Sequence, residues 1–240
     1  MENKIHWLLP DDPPDSFPDV AKALRDPDGL LAIGGNLTPE RIIVAYRRGI
    51  FPWYDEGQPI MWWSPDPRAV IFPDEFHVSR SLRRTLRKGT YTVSIDRCFN
   101  EVITNCANSR FETGTWITDE MLATYRQLHD LGHAHSVETW QGNRLVGGMY
   151  GLAIGRIFFG ESMYSAAPDA SKVALARLVH LLQHTEIKLL DCQVVSDHLL
   201  TLGMRPIPRK SFIGYLDQYV DCEPAVSAWE EPPAPTTALW

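Results

Sequence analysis

The chain has 240 residues, 44% of them hydrophobic, which is enough to bury a sizeable core. Its net charge of −7 excludes a protein that coats nucleic acid through its overall field, so any contact with RNA must come from a local basic patch. The sequence has no apolar run long enough to span a membrane and no secretion signal in its first residues. We therefore expect a soluble, cytoplasmic protein that does not attach to membranes.

The residues before Arg68 are rich in Pro, Gly and Asp, a composition that is too turn-rich for long elements. One helix is well signalled there, with Thr38 as its N-cap, Pro39 at its first position and Gly49 after its end. The sequence therefore predicts a small irregular N-terminal domain over residues 1–66.

The rest of the chain alternates strand and helix patterns and predicts a larger domain over residues 67–222. Its expected elements are, in chain order, a strand over 69–72, a helix over 79–88, a strand over 91–95, a helix over 99–107, a loop over 111–116, a helix between Thr118 and Gly132, strands over 135–140, 144–154 and 156–163, a helix over 170–184, a strand over 188–194, and short helices near 197–202 and 212–219. The Pro-rich residues 223–240 predict a disordered tail.

This order of elements predicts an α+β protein. Short turns between the three central strands indicate an antiparallel meander. A meander followed by a helix, a strand and another helix is compatible with a mixed, mainly antiparallel sheet of the N-acetyltransferase type, although other α+β folds share that order. The fold class is a weak guide to chemistry, which has to be inferred from side chains.

The helix predicted over 79–88 carries a basic face. Five cations recur along it at helical spacing, namely Arg80, Arg83, Arg84, Arg87 and Lys88. Leu82 and Leu86 turn toward the core. Such a face can be an ordinary solvated surface, but five cations without an interleaved acid favour contact with an RNA backbone.

Several aromatic residues lie in turn-rich segments, where a large ring can be held half exposed and stack on a base. These are Trp53, Trp62, Trp63 and Trp116. For Trp62 and Trp63, packing between the two domains is at least as good an explanation. Trp53 and Trp116 are the better candidates for a nucleotide platform.

Glu161 follows an apolar strand segment and predicts a carboxylate beside an apolar pocket. Phe158 and Met163 flank it, and Met149 lies on the neighbouring strand. Such a pocket suits a bulky apolar side chain, and the glutamate could hold a substrate amine. The alternative is a surface ion pair beside plain core residues, and composition alone favours that alternative.

Asp191 and Gln193 end a further apolar strand, where α/β sheets often expose functional groups. Residues at i and i+2 point to the same side of a strand, so the two could orient and deprotonate an attacking amine. They could equally cap the next segment and satisfy backbone groups.

Cysteine and histidine spacing predicts no metal site. The four cysteines are scattered, with no CxxC pair, and we expect reduced thiols. His129, His133 and His135 are close in sequence but fall across a helix end and a turn, which gives no convergent geometry. Glycine-rich phosphate loops and a GxSxG elbow are also missing from the sequence, so neither nucleotide hydrolysis nor serine chemistry is supported.

Several long motifs follow one another in a specific order. They are Gly34-Gly35-Asn36-Leu37, Arg48-Gly49-Ile50-Phe51-Pro52-Trp53, Trp62-Trp63-Ser64-Pro65-Asp66-Pro67-Arg68, Gly114-Thr115-Trp116-Ile117-Thr118, Gly132-His133-Ala134-His135-Ser136, Gly147-Gly148-Met149-Tyr150-Gly151, Gly160-Glu161-Ser162-Met163 and Asp191-Cys192-Gln193. Together they closely resemble the bacterial leucyl/phenylalanyl-tRNA-protein transferase family, from about Pro27 to Tyr215.

The resemblance implies an aminoacyltransferase that moves Leu, Phe or, less well, Met from its tRNA to proteins with N-terminal Arg or Lys. This transfer marks the acceptors for degradation by the bacterial N-degron route. Because the ester of aminoacyl-tRNA is already activated, no cofactor, ATP or metal is expected, and catalysis is mainly positioning. The resemblance also implies an acetyltransferase-like C-terminal domain, and we expect a monomer.

The resemblance assigns roles residue by residue. Trp53 and Trp116 match the contacts to the terminal adenosine, and Tyr125 and Ser196 match further substrate contacts. Met149, Phe158 and Met163 match the side-chain pocket, while Glu161, Asp191 and Gln193 match the active site, where Asp191 either deprotonates or only orients the acceptor amine. The basic face, Arg80, Arg83, Arg84, Arg87 and Lys88, matches the tRNA acceptor-stem surface. Ser196 stands where one well-known member of the family has Asn, and Leu178 where that member has Phe near the side-chain pocket.

Two other functions fit parts of the sequence. An acetyl-CoA-dependent N-acetyltransferase would need a Gly-rich pyrophosphate turn before the 170–184 helix, but residues 164–169 contain no Gly and end in Asp169. A non-catalytic tRNA-binding module would use only the basic face and the tryptophans. Asp191 and Gln193 distinguish the enzyme from that module.

Overall fold

The computed structural model describes residues 5–109, 116–223, 229 and 234–238. The helices are α1 Pro39–Arg47, α2 Arg80–Arg87, α3 Phe99–Asn108, α4 Asp119–Asp130, α5 Ala170–His184, α6 Asp197–Leu200 and α7 Arg209–Tyr219. The strands are β1 His6–Leu8, β2 Leu30–Gly34, β3 Phe51–Pro52, β4 Met61–Trp63, β5 Arg68–Ile71, β6 Thr92–Ile95, β7 Ala134–Gln141, β8 Arg144–Ile154, β9 Ile157–Ser165, β10 Leu189–Gln193, β11 Arg205–Ile207 and β12 Ala234–Pro235. Residues 111–115 of the predicted loop, with Gly114 and Thr115 of the resemblance, lie outside the described residues.

The predicted helix starts are confirmed at three side-chain caps. The hydroxyls of Thr38, Ser79 and Thr118 each accept a hydrogen bond from the backbone N–H three residues further on, which satisfies a donor left free at the helix start. In α2, Leu82 and Leu86 are buried, as the helical period predicts.

A four-stranded sheet is formed by the first part of the chain, in the order β1-β2-β4-β3. β1 runs parallel to β2, and the other pairs are antiparallel. The sequence predicts an irregular segment here and misses the sheet. The reason is that the strands are two to five residues long, too short for a recognisable alternation.

The second sheet has eight strands in the order β11-β5-β10-β9-β8-β7-β6-β12. β9 and β10 are parallel, α5 connects them, and the remaining pairs are antiparallel, including the predicted β7–β9 meander. The fold is therefore α+β with a mixed, mainly antiparallel sheet, as predicted. β11 has only three residues and was not predicted.

The described residues form two large buried apolar clusters and a small third one at Ile95 and Leu181. One large cluster contains residues of α2 and α5, such as Leu82 and Val173. The other large cluster extends from Trp62 in the small sheet through Tyr46 of α1 to residues of α3 and α4. Because Tyr46 is fully buried with its ring 5.1 Å from that of Phe159, α1 is anchored against β9 of the large sheet.

The chain end differs from the predicted disordered tail at residues 234–238. Ala234–Pro235 pairs with β6, and Thr236 is buried with its hydroxyl donating to the Leu86 carbonyl. A free strand edge next to Thr92 explains the difference, since a short segment can satisfy its backbone there. Among the described helices, none is both long and apolar enough to cross a membrane.

Candidate active site

The site lies where β9 and β10 stop pairing. Their parallel register ends at Phe159 and Asp191, and beyond that point each strand continues beside a different neighbour. A bulge in β9 places Glu161 as an extra residue opposite Gly151 of β8. A Cβ at Gly151 would overlap the backbone of Phe159, so glycine is required opposite the bulge that directs Glu161.

Glu161 is held by hydrogen bonds from three elements. The Tyr46 hydroxyl of α1 donates to Oε1 at 2.6 Å, the Tyr125 hydroxyl of α4 donates to Oε2 at 2.9 Å, and the Gln193 amide donates to Oε1 at 2.9 Å. Burial raises the pKa of Glu161, and the balance of all nearby groups puts it at about 7. The hydrogen bonds from the two tyrosines oppose this rise, and the charge of Asp191 adds to it. A carboxyl that titrates near neutrality is suited to proton transfer.

Asp191 is fully buried and is paired with the fully buried Arg68 of β5. Arg68 Nε donates to Oδ1 at 2.8 Å and Nη2 donates to Oδ2 at 2.7 Å, a bidentate pair. The guanidinium also lies between the rings of Phe51 and Phe212, at 4.7 and 4.6 Å from their centroids. Both Asp191 oxygens are thereby engaged by a cation, which favours the orienting role over that of a base.

Gln193 takes a backbone conformation with φ of 64°, which side-chain-bearing residues rarely adopt. Its N–H donates to Asp191 Oδ1 at 2.9 Å, so the aspartate fixes this turn. Because the Gln193 amide nitrogen faces Glu161, its amide oxygen is left to accept a hydrogen bond from a substrate. The pair Arg68–Asp191 therefore orients Gln193, and Gln193 contacts Glu161.

Trp53 and Trp116 border a cleft of about 130 Å³ whose walls also include Glu161 and Gln193. Trp53 is 43% exposed and is held from behind, since the Trp63 indole donates to its carbonyl at 2.6 Å. Trp62 is fully buried in the small sheet, where its indole donates to the Gly34 carbonyl. The structure thus places Trp53 and Trp116 together and assigns Trp62 to the core.

A larger cavity of about 480 Å³ lies on the other side of Glu161. Its walls combine apolar and polar side chains in similar proportion, and they include the apolar Met149, Met163, Leu175, Leu190 and Leu199 and the polar Ser196 and His198. Phe158 differs from expectation, because it is buried in the core with its ring 5.6 Å from that of Trp229. Phe158 does not line the cavity, although Leu190, its register partner on β10, does. Leu178 is likewise a fully buried core residue.

The cleft and the cavity share wall residues. Glu161, Cys192 and Val194 line both. Burial raises the pKa of the Cys192 thiol, so this cysteine is unsuited to act as a nucleophile near neutral pH. The shared wall makes one continuous site, which contains the Glu161 carboxyl, the two indoles of the cleft and a larger cavity with apolar and polar walls.

The basic face of α2 is a separate surface. All five cations are exposed, and together they border an open depression of about 490 Å³. α2 is joined to α5 by the Thr85 hydroxyl, which donates to Asp169 at 3.2 Å. Asp169 in turn accepts from Lys172, an arrangement that leaves a carboxylate where a pyrophosphate would bind in an acetyl-CoA enzyme.

The three clustered histidines have separate surroundings. His129 stacks on Phe99 at 4.3 Å, and His135 contacts Asp96 at 2.7 Å and stacks on Trp229. Burial lowers the pKa of His133. Within the described ranges, no group of three or more metal-ligating side chains converges on one point.

The family of the chain follows from its match to two family models. Residues 70–217 match the model described as leucyl/phenylalanyl-tRNA protein transferase, and residues 35–66 match the model of that protein's N-terminal domain. The chain belongs to the leucyl/phenylalanyl-tRNA protein transferase family. It is therefore an aminoacyltransferase, as the motifs predict.

Curated relatives in this transferase family match nearly end to end. The chain is 56% identical to the leucyl/phenylalanyl-tRNA–protein transferase of Cellvibrio japonicus over 87% of this chain and 88% of that one. It is 54% identical to the transferase of Stutzerimonas stutzeri over 94% of this chain and 99% of the other. Among solved structures, L-PGS from Bacillus licheniformis is similar with a TM-score of 0.42 and 12% identity, covering 70% of this chain and 54% of that one.

Two residues of this transferase site do not stand out in the sequence as candidates. Tyr46 reads only as part of the apolar face of α1, yet its hydroxyl contacts Glu161. Arg68 pairs with Asp191. Its place at the end of the longest motif of the family resemblance was the one signal in the sequence that it belongs to the site. Each of the two side chains contacts a residue more than a hundred positions away in the sequence. Hydrophobic periodicity contains no information about contacts at that separation.

Proposed function

We propose that the protein transfers Leu, Phe and, less efficiently, Met from aminoacyl-tRNA to the N-terminal Arg or Lys of acceptor proteins. In this proposal it works in the cytoplasm as a monomer and marks its acceptors for N-degron degradation. The observation that carries the proposal is the shared wall at Glu161, which connects the cleft at Trp53 and Trp116 to the larger cavity. A ligand with a base, an ester and an apolar side chain would span both.

The end of an aminoacyl-tRNA has these three parts in that order. Its terminal adenine would stack between Trp53 and Trp116, since base–aromatic stacking is strong and does not depend on base identity. The aminoacyl side chain would enter the cavity, where Met149 and Met163 provide an adaptable apolar lining. The ester carbonyl would then lie beside Glu161 and Gln193.

In the proposed reaction the acceptor amine attacks the ester carbonyl carbon, forming the C–N bond. The bond from carbon to the ribose oxygen then breaks, and the proton lost by the amine is balanced by one that the ribose oxygen gains. Gln193 would orient the amine through its free amide oxygen, and Glu161 would accept the amine proton. Asp191, held by Arg68, would keep Gln193 in position rather than take the proton.

The basic face would bind the acceptor stem of the tRNA. Replacing Arg83 and Arg84 together by Ala is expected to weaken tRNA binding and to reduce the slope of log K against log salt by roughly 2, about one per lost phosphate contact. The measurement is a salt titration of tRNA affinity. Arg25→Ala with Arg144→Ala is the matched control, because it removes the same charge from exposed positions elsewhere. An unchanged slope in the Arg83/Arg84 variant would make the face an ordinary solvated surface.

The proposed activity is tested with labelled Phe on its tRNA and two peptides. A peptide that begins with Arg is expected to gain label without added ATP, and one that begins with Ala is not. Intact Phe-tRNA at the end of the reaction, with no label in the Arg peptide, would refute the proposal. Equal labelling of both peptides would refute the acceptor preference alone.

A further inference from the structure

Four oxygen atoms, the two of the Glu161 carboxyl and the hydroxyls of Tyr46 and Tyr125, make three contacts within hydrogen-bond distance. Tyr46 Oη lies 2.6 Å from Glu161 Oε1, Tyr125 Oη lies 2.9 Å from Glu161 Oε2, and the two phenol oxygens lie 2.8 Å apart. The tyrosines and Glu161 come from α1, α4 and β9, and all are buried. The contacts form a closed ring of two phenols and one carboxyl.

The number of hydrogen atoms on these oxygens determines which of the three contacts can be hydrogen bonds. Three contacts need three hydrogen atoms, and the two phenols supply only two. If Glu161 is ionised, both phenol protons point to the carboxylate and the phenol oxygens face each other with lone pairs alone. If Glu161 is protonated, it donates to Tyr125, Tyr125 donates to Tyr46, and Tyr46 donates to Oε1, so every contact is a hydrogen bond.

Tyr46 donates to Oε1 in both states, and a hydrogen bond to an ionised acceptor is the stronger one. We infer that Tyr46 is a positioning residue for Glu161, and that its buried hydroxyl stabilises the ionised carboxylate against the burial that favours the protonated form. Tyr46 is fully buried, and it lines neither the cleft nor the cavity of the site. It would act through Glu161 alone. The consequence for catalysis rests on the proposed function, because Tyr46 would set the pH range over which Glu161 can accept a proton from the acceptor amine.

The other groups that face Glu161 leave the stabilisation of its carboxylate to hydrogen-bond donors. Arg68 of β5 is paired with Asp191 of β10, so it is not available to a second carboxylate. Burial and the neighbouring carboxyl raise the pKa of Tyr46 and of Tyr125, and Tyr150 of β8 adds to both shifts. Both phenols therefore keep their protons. Gln193 donates to Oε1, which is compatible with a neutral as well as an ionised carboxyl.

The test follows the carboxylic-acid band of Glu161 by infrared difference titration of the whole protein, with Glu161→Gln identifying the band. A midpoint near 7 is expected, well above the ~4.3 of an ordinary glutamate. Tyr46→Phe removes a donor that the ionised form needs most, so its midpoint is expected to rise by about one pH unit or more. Tyr164→Phe is the control, since it removes a phenol that bonds to Asn105 instead.

The outcomes separate this inference from the proposed function. A wild-type midpoint near 4 would overturn the inference, and so would an unshifted midpoint in a folded Tyr46→Phe protein. If that variant does not fold, Tyr125→Phe opens the same ring and must shift the midpoint in the same direction. Because the titration needs no tRNA or peptide, a failed transfer assay with the expected midpoints would count against the proposed function only.

Discussion

Replacing Arg68 by Met is expected to destabilise the folded protein by about 3–5 kcal/mol and to abolish measurable aminoacyl transfer. The substitution leaves Asp191 fully buried without its bidentate partner, and an uncompensated buried charge is among the costliest changes in a protein. Transfer is lost because Asp191 no longer fixes the left-handed turn that directs Gln193. Urea denaturation gives the free energy of unfolding.

Two comparisons isolate the pair. Arg41→Met removes another fully buried arginine, but one that bonds to Asn36 and to the carbonyls of Asp12 and Pro13, and its cost is expected to be smaller. Combining Arg68→Met with Asp191→Leu removes both charges, so the double variant is expected to lose less stability than the sum of the single ones. Additive losses would show that the two side chains do not depend on each other.

Replacing Glu161 by Gln is expected to lower kcat/KM for transfer by about 10²- to 10⁴-fold, the usual contribution of a general base. The amide has the size of the carboxyl and can still bond to the two tyrosines, but it cannot take a proton from the amine. Glu138→Gln is the control, because Glu138 is the matching buried glutamate that bonds to Ser94 and Ser136 instead. A loss below tenfold at Glu161 would exclude its role as a base.

The raised pKa of Glu161 also makes the free energy of unfolding depend on pH. The folded-state pKa of Glu161, about 7, lies above its unfolded value of ~4.3, so the folded protein binds this proton more tightly. The stabilisation is complete below pH ~4.3 and is lost as the pH rises through 7. Relative to Glu161→Gln, the wild type is therefore expected to lose up to about 3 kcal/mol between pH 4 and pH 8. A constant difference across that range would contradict the raised pKa.

Local signals explain why so much of the fold could be predicted. The bounds of β8 and α5 agree with the structure, and the caps at Thr38, Ser79 and Thr118 mark true helix starts. Periodicity and capping act over a few residues, and the sequence therefore contains them in full. Two-residue strands such as β3 have too few positions to show any period, and the small sheet was missed for that reason.

The sequence predicted which residues form the site, but not which side chains bond to them. Motif order identified Glu161, Asp191 and Gln193, yet the partners that set their chemistry, Tyr46 and Arg68, come from distant segments. Register and bulges also determine which side chains reach the cavity. Phe158 is close to Glu161 in sequence but packs in the core beside Trp229, so proximity in sequence did not predict its place.

The most direct test is a crystal structure with a non-hydrolysable phenylalanyl-adenosine analogue. We expect the adenine ring to stack between Trp53 and Trp116, the phenyl ring to fill the cavity beside Met149 and Met163, and the carbonyl to lie near Glu161 and Gln193. A complex with the adenine away from both tryptophans, or with the phenyl ring outside the cavity, would contradict a single site that joins the two spaces at Glu161.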